Sequence, residues 1–186
     1  HVSSAASDVY KRQLVNSLIV GVSSTFLCLL LALPAAYALN RIPRQLSALS
    51  RLALVGAALF PYVLLFLALL ELARALNLGN QLLALSLPYA ALSQPLSILL
   101  LNNAFNDLPP ELEDAAKLEG LSLFQRFRWI FIPLISPATA STAILVFLFS
   151  WNEYPIALTW ISDSSKLTLP VAMARIAGSS IYSVPY

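Results

Sequence analysis

The sequence predicts an all-α protein built from membrane-spanning helices, and its composition and the spacing of its charges both indicate this. Hydrophobic residues make up 59% of the 186 residues and charged residues 11%, whereas ordinary globular proteins carry about 25% charged residues. The mean hydropathy is +0.77. The 11 basic and 9 acidic side chains are too few to cover a soluble domain, and disordered chains are poor in apolar residues. A soluble fold and a disordered chain are therefore both excluded.

The charged residues leave four long gaps, and each gap predicts one membrane-spanning helix. A helix needs roughly 20 mainly apolar residues to cross a hydrocarbon core of about 30 Å. The predicted spans are Leu14–Leu39, Leu52–Ala75, Leu82–Leu101 and Pro137–Ile161. Pro88 and Pro95 interrupt the third span, and membrane helices tolerate proline where neighbouring segments satisfy the freed carbonyls. We therefore expect a packed bundle that forms one domain over residues 1–186.

The remaining composition excludes several other classes of protein. A formal charge of +2 gives no basic surface for nucleic acid. The single cysteine, Cys28, and the single histidine, His1, allow no internal disulfide and no cysteine-based zinc cluster. The basic residues divide almost evenly between the two sides of the predicted bundle, so the positive-inside tendency does not fix its orientation.

The loop between the third and fourth spans is unusually acidic and predicts a short helix. Five of the nine acidic residues lie within Asp107–Glu119. Asp107 or Leu108 is expected to cap this helix, and the Pro109–Pro110 pair falls in the first turn, where a missing N–H is tolerated. Gly120 stands where a left-handed C-cap is favoured.

A second helix is predicted directly after this one. Ser122 and Gln125 form a capping-box pattern, in which each residue satisfies a free backbone N–H of the other. The helix is expected to be amphipathic and to end at Pro133. Three aromatic residues are expected to lie on one side of it, at the lipid–water boundary: Phe124, Phe127 and Phe131.

The spacing within this loop resembles a known signature. Asp114-Ala115-Ala116, three residues, Gly120, nine residues and then Ile130-Phe131-Ile132-Pro133 resemble the EAA motif of permease subunits of binding-protein-dependent ABC importers. That motif reads Glu-Ala-Ala, three residues, Gly, nine residues, Ile, any residue, Leu and Pro. The two departures, Asp114 for Glu and Ile132 for Leu, preserve charge and apolarity.

The resemblance extends over nearly the whole chain. Asn16–Val20 and Ala36–Arg41 resemble the start and end of a family helix, while Phe147–Tyr154 and Leu167–Pro170 are similar to the sugar-importing, maltose-type branch. On this comparison the four spans correspond to the second to fifth of six family helices. The first and last family helices are therefore expected to be missing from this chain.

This resemblance implies a polytopic transmembrane bundle of the MetI-like ABC importer permease type. Residues 107–133 would form a cytoplasmic coupling loop, and residues 162–186 an extracytoplasmic segment. The implied contacts with the ATPase come from one set of residues in the loop: Glu111, Glu113, Asp114, Ala115, Ala116, Lys117, Leu118 and Gly120. None of the five glycines belongs to a Gly-x4-Gly-Lys-Ser/Thr phosphate loop.

The resemblance also implies the partners. They are a second homologous permease subunit, two cytoplasmic ATPase subunits, an extracytoplasmic solute-binding protein and membrane lipid. ATP and Mg²⁺ would be bound by the ATPase, so this chain is expected to bind no cofactor and to have no enzymatic activity of its own. The expected location is the inner or plasma membrane of a prokaryotic cell.

A polar cluster near the end of the fourth span is the candidate substrate path. It comprises Trp151, Asn152, Glu153 and Tyr154. An ionisable group at membrane depth indicates a functional site by default, and Trp151 or Tyr154 could stack on a sugar ring. The alternative is an interhelical hydrogen bond or an exposed helix end.

The resulting hypothesis is a permease subunit that forms half of the path for a sugar or oligosaccharide. One alternative is the same kind of permease for a polyamine, amino acid, phosphate or metal chelate. Another class is a membrane-embedded enzyme or a scaffold that recruits a cytoplasmic partner. An enzyme would need convergent acid, base or nucleophile groups, and only Glu153 and Glu71 are candidates.

Overall fold

The computed structural model describes the backbone of residues 2–182 and the side chains of residues 8–65 and 67–176. Within residues 2–182 the chain forms α-helices and short 3-10 or π-helical turns, with no strand. The α-helices are α1 Val2–Arg41, α2 Arg44–Leu59, α3 Phe66–Ala75, α4 Ser86–Asn106, α5 Pro110–Leu118, α6 Leu123–Arg126, α7 Ile132–Leu134, α8 Ser136–Asn152, α9 Pro155–Trp160 and α10 Leu169–Tyr182. The all-α prediction is confirmed.

Two of the described helices are long and apolar enough to cross a membrane unbroken. They run over Asp8–Arg41 and Leu82–Asn106, so the first and third predicted spans are confirmed. Pro88 lies in the first turn of α4, where its missing N–H breaks no helical bond, and the helix continues through Pro95. By length and composition, the number of spans rises to four if two broken helix pairs each count as one span.

The prediction that Leu52–Ala75 is one continuous helix is wrong. Helix α2 ends at Leu59, and Phe60 adopts an extended conformation with φ −68° and ψ 130°. Pro61 follows, and its ring disfavours a helical conformation in the residue before it. A short 3-10 turn over Tyr62–Leu65 then leads into α3.

The fourth predicted span, Pro137–Ile161, is also interrupted. Helix α8 ends at Asn152 and the short helix α9 begins at Pro155. Proline lacks the N–H that would bond to the carbonyl of Trp151 in a continuous helix. The segment after α9 is extended at Ile161 and then forms a helix, α10, within the predicted extracytoplasmic residues 162–186.

The contacts within the chain define two compact units. The first contains the described residues of 1–27, 61–92 and 146–186. Its core is built around Tyr89, Leu85, Ile156 and Val171, all fully or almost fully buried. The rings of Tyr62 and Tyr89 both pack edge-on against Phe149, with centroids 5.8 Å and 6.1 Å away.

The second unit contains residues 28–60 and 93–145. Its core includes the buried residues Ala32 and Ala36 on α1. Small side chains such as these let packed helices approach closely. Next to them lie four aromatic rings, with centroids 5.4 to 6.4 Å apart: Tyr37, Phe105, Phe127 and Phe131. The predicted position of Phe127 and Phe131 at the lipid–water boundary is therefore wrong. Phe124 is exposed, as predicted.

Candidate functional site

Helix α5 begins at a proline pair rather than at a polar cap. Pro109 is the N-cap residue, with φ −58° and ψ 130°, and Pro110 is the first helical residue. The predicted cap at Asp107 or Leu108 is therefore wrong, because Pro109 itself supplies the extended conformation that precedes the helix. Glu111 and Glu113 lie in the first turn, where negative charge interacts favourably with the helix dipole.

The C-terminal end of α5 follows the predicted pattern. Gly120 adopts a left-handed conformation with φ +77°, and its N–H donates to the carbonyl of Lys117 at 3.0 Å. The N–H of Leu121 donates to the carbonyl of Ala116 at 3.1 Å. These two bonds satisfy carbonyls that the end of a helix leaves free.

The capping box that starts the next helix is also confirmed. The N–H of Gln125 donates to the Ser122 hydroxyl at 3.3 Å, and the N–H of Ser122 donates to Gln125 Oε1 at 2.8 Å. A π-helical turn over Phe127–Phe131 follows α6. The helix axis bends by 78° between the segment Leu123–Leu134 and helix α8, so the loop ends in a sharp turn at the start of α8.

The inner side of α5 carries a buried carboxylate with several partners. Glu113 is 5% exposed and accepts a hydrogen bond from the Tyr37 hydroxyl at 3.1 Å. It forms ion pairs with Arg41, with Lys117 at 3.2 Å and with Arg126 at 3.2 Å. The Arg41 guanidinium also lies 5.0 Å from the centre of the Tyr37 ring. We call these five residues the Glu113 cluster; it joins α5 to the end of α1.

The outer side of α5 is open. Glu111, Asp114, Ala115 and Leu118 are all exposed, and their spacing places them on one side of the helix. Leu118 is 89% exposed. We call these four residues the exposed α5 face. Of the other predicted coupling residues, Ala116 is buried, whereas Lys117 and Gly120 are exposed. Lys117 pairs with both Glu113 and Asp114.

The four residues of the predicted substrate path have different surroundings. Glu153 is 4% exposed, and its carboxylate accepts bonds from the Tyr89 hydroxyl at 2.7 Å and from the N–H groups of Ile156 and Ala157 at 3.0 and 3.2 Å. This is the interhelical hydrogen bond that the sequence left open. It also satisfies two free N–H groups at the start of α9.

The neighbours of Glu153 face other groups. The Asn152 side chain donates to the carbonyl of Leu148 at 2.7 Å and is exposed. The half-buried Trp151 ring packs against Phe147 with centroids 5.5 Å apart, and Tyr154 is 36% exposed. Asn152 and Tyr154 are therefore the exposed members of this set. Glu153, which directly follows α8, connects α4 to α9 through its bonds to Tyr89 and to the N–H groups of α9.

Two residues that the sequence analysis left without a role bind the segment before α10. The Asn16 amide donates to the carbonyls of Ser165 and Leu167, each at 3.0 Å. The Ser17 hydroxyl accepts the N–H of Leu169 at 2.8 Å. These contacts connect two stretches that carried the family resemblance, Asn16–Val20 and Leu167–Pro170. An asparagine inside an apolar helix is the sequence signal that indicates such a contact.

Asn80 makes a second set of contacts with the same segment. It has a positive φ of 59°, its N–H donates to the carbonyl of Trp160 at 2.8 Å, and its Oδ1 accepts the N–H groups of Ser162 and Asp163 at 2.8 and 2.9 Å. The Ser165 hydroxyl and N–H donate to Asp163 and, with Lys166, lower the pKa of that carboxyl below its ordinary value. Within the described residues, no group of three His, Cys, Asp or Glu side chains could hold a metal ion.

Comparison with known proteins gives the family. The model of the binding-protein-dependent transport system inner membrane component matches residues 14–183. The trehalose transport system permease protein SugB of Mycobacterium tuberculosis is 36% identical over 182 residues, which is 96% of this chain and 65% of that protein. The sulfoquinovosyl glycerol transport system permease protein SmoH of Agrobacterium fabrum is 36% identical over 172 residues, covering 92% and 60% of the two chains.

A third relative and one solved structure agree with this match. The trehalose/maltose transport system permease protein MalG of Thermococcus litoralis is 34% identical over 169 residues, covering 91% of this chain and 61% of that protein. The chain thus spans 60% to 65% of the length of these three relatives. A crystal structure of a bacterial ABC transporter involved in alginate import contains a chain with the same fold, with a TM-score of 0.77, 22% identity and coverage of 94% of this chain and 64% of that one. The chain belongs to the family of binding-protein-dependent transport system inner membrane components.

Proposed function

We propose that this chain is the permease subunit of an ATP-driven importer and that helix α5 receives the movement of the ATPase subunit. The observation that carries the proposal is the pairing of an exposed α5 face with a buried side that is bonded to α1. A helix that transmits a movement needs both features: a surface on which a partner binds and a rigid connection to the elements that move. The family to which the chain belongs supplies non-enzymatic membrane components.

The rigid connection rests on three kinds of contact. The Glu113 cluster joins α5 to Arg41 and Tyr37 at the end of α1. Arg126, which is 13% exposed, ties the following helix to the same carboxylate. The four packed aromatic rings add area that resists separation. A displacement of α5 would therefore be passed to α1 rather than absorbed by the loop.

The exposed α5 face defines the surface that its partner needs. Ala115 allows the helix backbone to approach closely, and Leu118, at 89% exposed, offers an apolar side chain to a pocket. Glu111 and Asp114 place acids beside them. The matching groove on an ATPase would contain an apolar pocket with basic residues at its rim, since complementary charges guide association and fix register. ATP and Mg²⁺ are assigned to that partner.

The proposed cargo is a sugar or oligosaccharide. Three relatives that align with about nine-tenths or more of this chain are named for trehalose, for sulfoquinovosyl glycerol and for trehalose and maltose, and all of these compounds contain sugar rings. Within the candidate substrate path, Asn152 and Tyr154 are the accessible groups, and Tyr154 and Trp151 are suited to stack on a sugar face. Glu153 would position α9 beside them.

The proposed assembly follows the family arrangement. Two homologous permease subunits would form the path, two ATPases would bind on the cytoplasmic side, and a solute-binding protein would deliver the sugar on the other side. The chain would cross the cytoplasmic membrane of a prokaryotic cell several times. ATP-driven closure of the ATPases would shift the permeases between two states, each favoured by different contacts.

Ala115→Trp tests the coupling role directly. Because Ala115 is exposed, a large side chain fits there without disturbing the fold but prevents close docking. In the purified complex we expect sugar-stimulated ATP hydrolysis to fall by more than tenfold, with the permease still present in the membrane. The matched control is Ala115→Ser, which keeps a small side chain and should retain activity within about twofold.

The result separates the proposed function from its alternatives. Normal stimulation in Ala115→Trp would show that α5 does not couple the ATPase. Stimulation of the wild-type complex by a polyamine, amino acid or phosphate instead of a sugar would keep the permease role and change the cargo. Failure of any solute to stimulate hydrolysis would favour a scaffold.

A further inference from the structure

A glycine on α1 makes room for an aromatic ring of α8. Gly21 is buried, and a Cβ added to it would lie 2.7 Å and 2.9 Å from two ring atoms of Phe147. Carbon atoms that are not bonded to each other are ordinarily about 3.5–4.0 Å apart, so a side chain at position 21 would displace this ring. Both residues belong to the first compact unit. The position of the Phe147 ring therefore depends on the absence of a Cβ at Gly21.

The Phe147 ring in turn supports the indole of Trp151. The two residues are four positions apart on α8, so their side chains lie on the same side of the helix. Their ring centroids are 5.5 Å apart and the ring planes differ by 30°, which is close to the offset stacking that aromatic pairs favour. A shift of the Phe147 ring would therefore move the indole of Trp151.

The indole of Trp151 keeps a face and a donor available for a ligand. The residue is half-buried, so Phe147 and the other neighbours cover only part of it. Its N–H has no hydrogen-bond partner among the described residues and is not fully buried, although a buried tryptophan usually pairs this group. Asn152, the next residue, is exposed. An aromatic surface with free polar groups beside it suits a sugar ring, which offers both C–H and hydroxyl groups.

We infer that Gly21 and Phe147 position the Trp151 indole as a stacking surface for the transported sugar. Gly21 sets how closely the Phe147 ring approaches α1, and the ring sets the position of the indole. Both are positioning residues that act through Trp151. Because Trp151 is taken to line the substrate path, the inference rests on the proposed function. If Gly21 served helix packing alone, its replacement would change the stability and leave the affinity for sugar as it was.

The first measurement is sugar binding by the purified permease in complex with its partner permease and ATPase subunits, without the solute-binding protein. Equilibrium dialysis with radiolabelled trehalose and maltose gives the Kd. We expect the Kd to rise about fivefold in Gly21→Ala, which is the loss of one aromatic contact, and at least as much in Trp151→Ala. Gly56→Ala is the matched control, because nothing lies within 4 Å of its added Cβ, and its Kd should stay within about twofold of the wild type.

Combined variants separate the positioning of Trp151 from a general packing defect. In a Trp151→Ala background, Gly21→Ala should cause no further rise in the Kd, because the residue through which it acts is gone. The same is expected in a Phe147→Leu background, which lacks the ring that the added Cβ would meet. Each combined variant is compared with its single-variant parent, so a shared loss of stability does not enter the comparison. Additive rises in the Kd in either background would contradict the inference.

The position of the indole is measured separately, by tryptophan fluorescence of the full-length permease. Subtracting the spectrum of Trp151→Phe from that of the parent isolates the contribution of Trp151. We expect its emission maximum to shift in Gly21→Ala and to stay unchanged in Gly56→Ala. An unchanged emission maximum in Gly21→Ala would show that the Phe147 ring adjusts without moving Trp151, and would overturn the inference.

Failure of the proposed function would give a different pattern of results. A wild-type complex that binds neither trehalose nor maltose would contradict the proposed cargo. A wild type that binds sugar with the same Kd as Trp151→Ala would exclude Trp151 from the substrate path. In both cases the inference falls together with the proposal on which it rests. A raised Kd in Trp151→Ala with an unchanged Kd in Gly21→Ala would overturn the inference alone.

Discussion

At the scale of single residues, the two most buried acids of this chain serve as acceptors for several donors. Glu113 and Glu153 are 5% and 4% exposed. Glu113 accepts from Tyr37 and pairs with three cations, while Glu153 accepts from Tyr89 and from two backbone N–H groups. A buried carboxylate is tolerated only with such partners. Both acids therefore connect helices within the fold, and in the proposed function the exposed side chains beside them contact the ATPase or the sugar.

Replacing Glu113 by glutamine should destabilise the fold. The change leaves Arg41, Lys117 and Arg126 around a neutral amide, and removing one partner from buried ion pairs costs several kcal/mol. We expect a loss of about 2–3 kcal/mol, because Arg41 and Lys117 are partly exposed and solvent weakens their contribution. Thermal unfolding of the detergent-solubilised permease measures this. The control is Glu111→Gln on the exposed α5 face, for which we expect a change within about 0.5 kcal/mol.

Tyr89→Phe tests the role of Glu153. The ring still packs against Phe149, but the 2.7 Å bond to the carboxylate is lost, which should cost about 1–2 kcal/mol of stability. Tyr62→Phe is the matched control, since the Tyr62 ring contacts the same Phe149. The KM for sugar should be the same in both variants. A large rise in KM with unchanged stability in Tyr89→Phe would instead assign this pair to the substrate path.

At the scale of helices, charge spacing locates the spans but not their interruptions. The charge-free gaps correctly marked α1 and α4, which continue through Pro34 and Pro95, yet α2 and α8 end just before Pro61 and Pro155. Proline is thus found both inside continuous helices and at helix breaks, so the presence of a proline does not by itself predict a break. The outcome depends on which side chains satisfy the freed groups, as the Glu153 carboxylate does for α9.

In the loop between α4 and α8, features that depend on neighbouring residues were predicted, whereas those that depend on contacts with another helix were not. The left-handed Gly120 and the Ser122 capping box depend on residues within a few positions, and both were predicted. The inward position of Glu113 depends on Tyr37 and Arg41, which lie on a different helix. Sequence spacing carried no information on that contact, so all eight predicted coupling residues looked alike, although Glu113 and Ala116 are buried.

Gly120 provides a test of the turn after α5. Its φ of +77° cannot be reached by proline, which fixes φ near −65°, and alanine at this angle is strained by roughly 1 kcal/mol. No atom lies within 4 Å of a Cβ added there, so the strain is purely conformational. We expect Gly120→Pro to abolish sugar-stimulated ATP hydrolysis and Gly120→Ala to reduce it severalfold at most. Equal activity of Gly120→Pro and the wild type would show that this turn has no role in coupling.

A matched pair of glycines tests the packing of α1 against α8. A Cβ at Gly21 would lie 2.7 Å and 2.9 Å from two ring atoms of Phe147, and that ring packs on Trp151. Gly21→Ala should therefore lower stability by about 1–2 kcal/mol. At Gly56, where nothing lies within 4 Å of the added Cβ, alanine should raise stability by about 0.5–1 kcal/mol because it favours the helix. Thermal midpoints that shift in the same direction would contradict this assignment.

At the scale of the whole molecule, the proposed function requires helix α5 and the segment after α9 to face opposite sides of the membrane. Between α5 and the segment after α9 the sequence predicts one span, Pro137–Ile161, which contains α8 and α9. Leu118, 89% exposed, would face the cytoplasm. The exposed Ser164 would lie on the outside, in the segment that Asn16 and Asn80 bind.

Cysteine accessibility measures this orientation in the full-length protein. The native Cys28 is buried and contacts the Ser97 hydroxyl at 3.3 Å, so Cys28→Ser should preserve the fold and remove background labelling. In that background, a membrane-impermeant maleimide should label Ser164→Cys in intact spheroplasts. It should label Leu118→Cys only in inside-out vesicles, and less when the ATPase is bound. Labelling of both positions from the same side would require an even number of crossings between them and would contradict the prediction of one span, Pro137–Ile161, between α5 and Ser164.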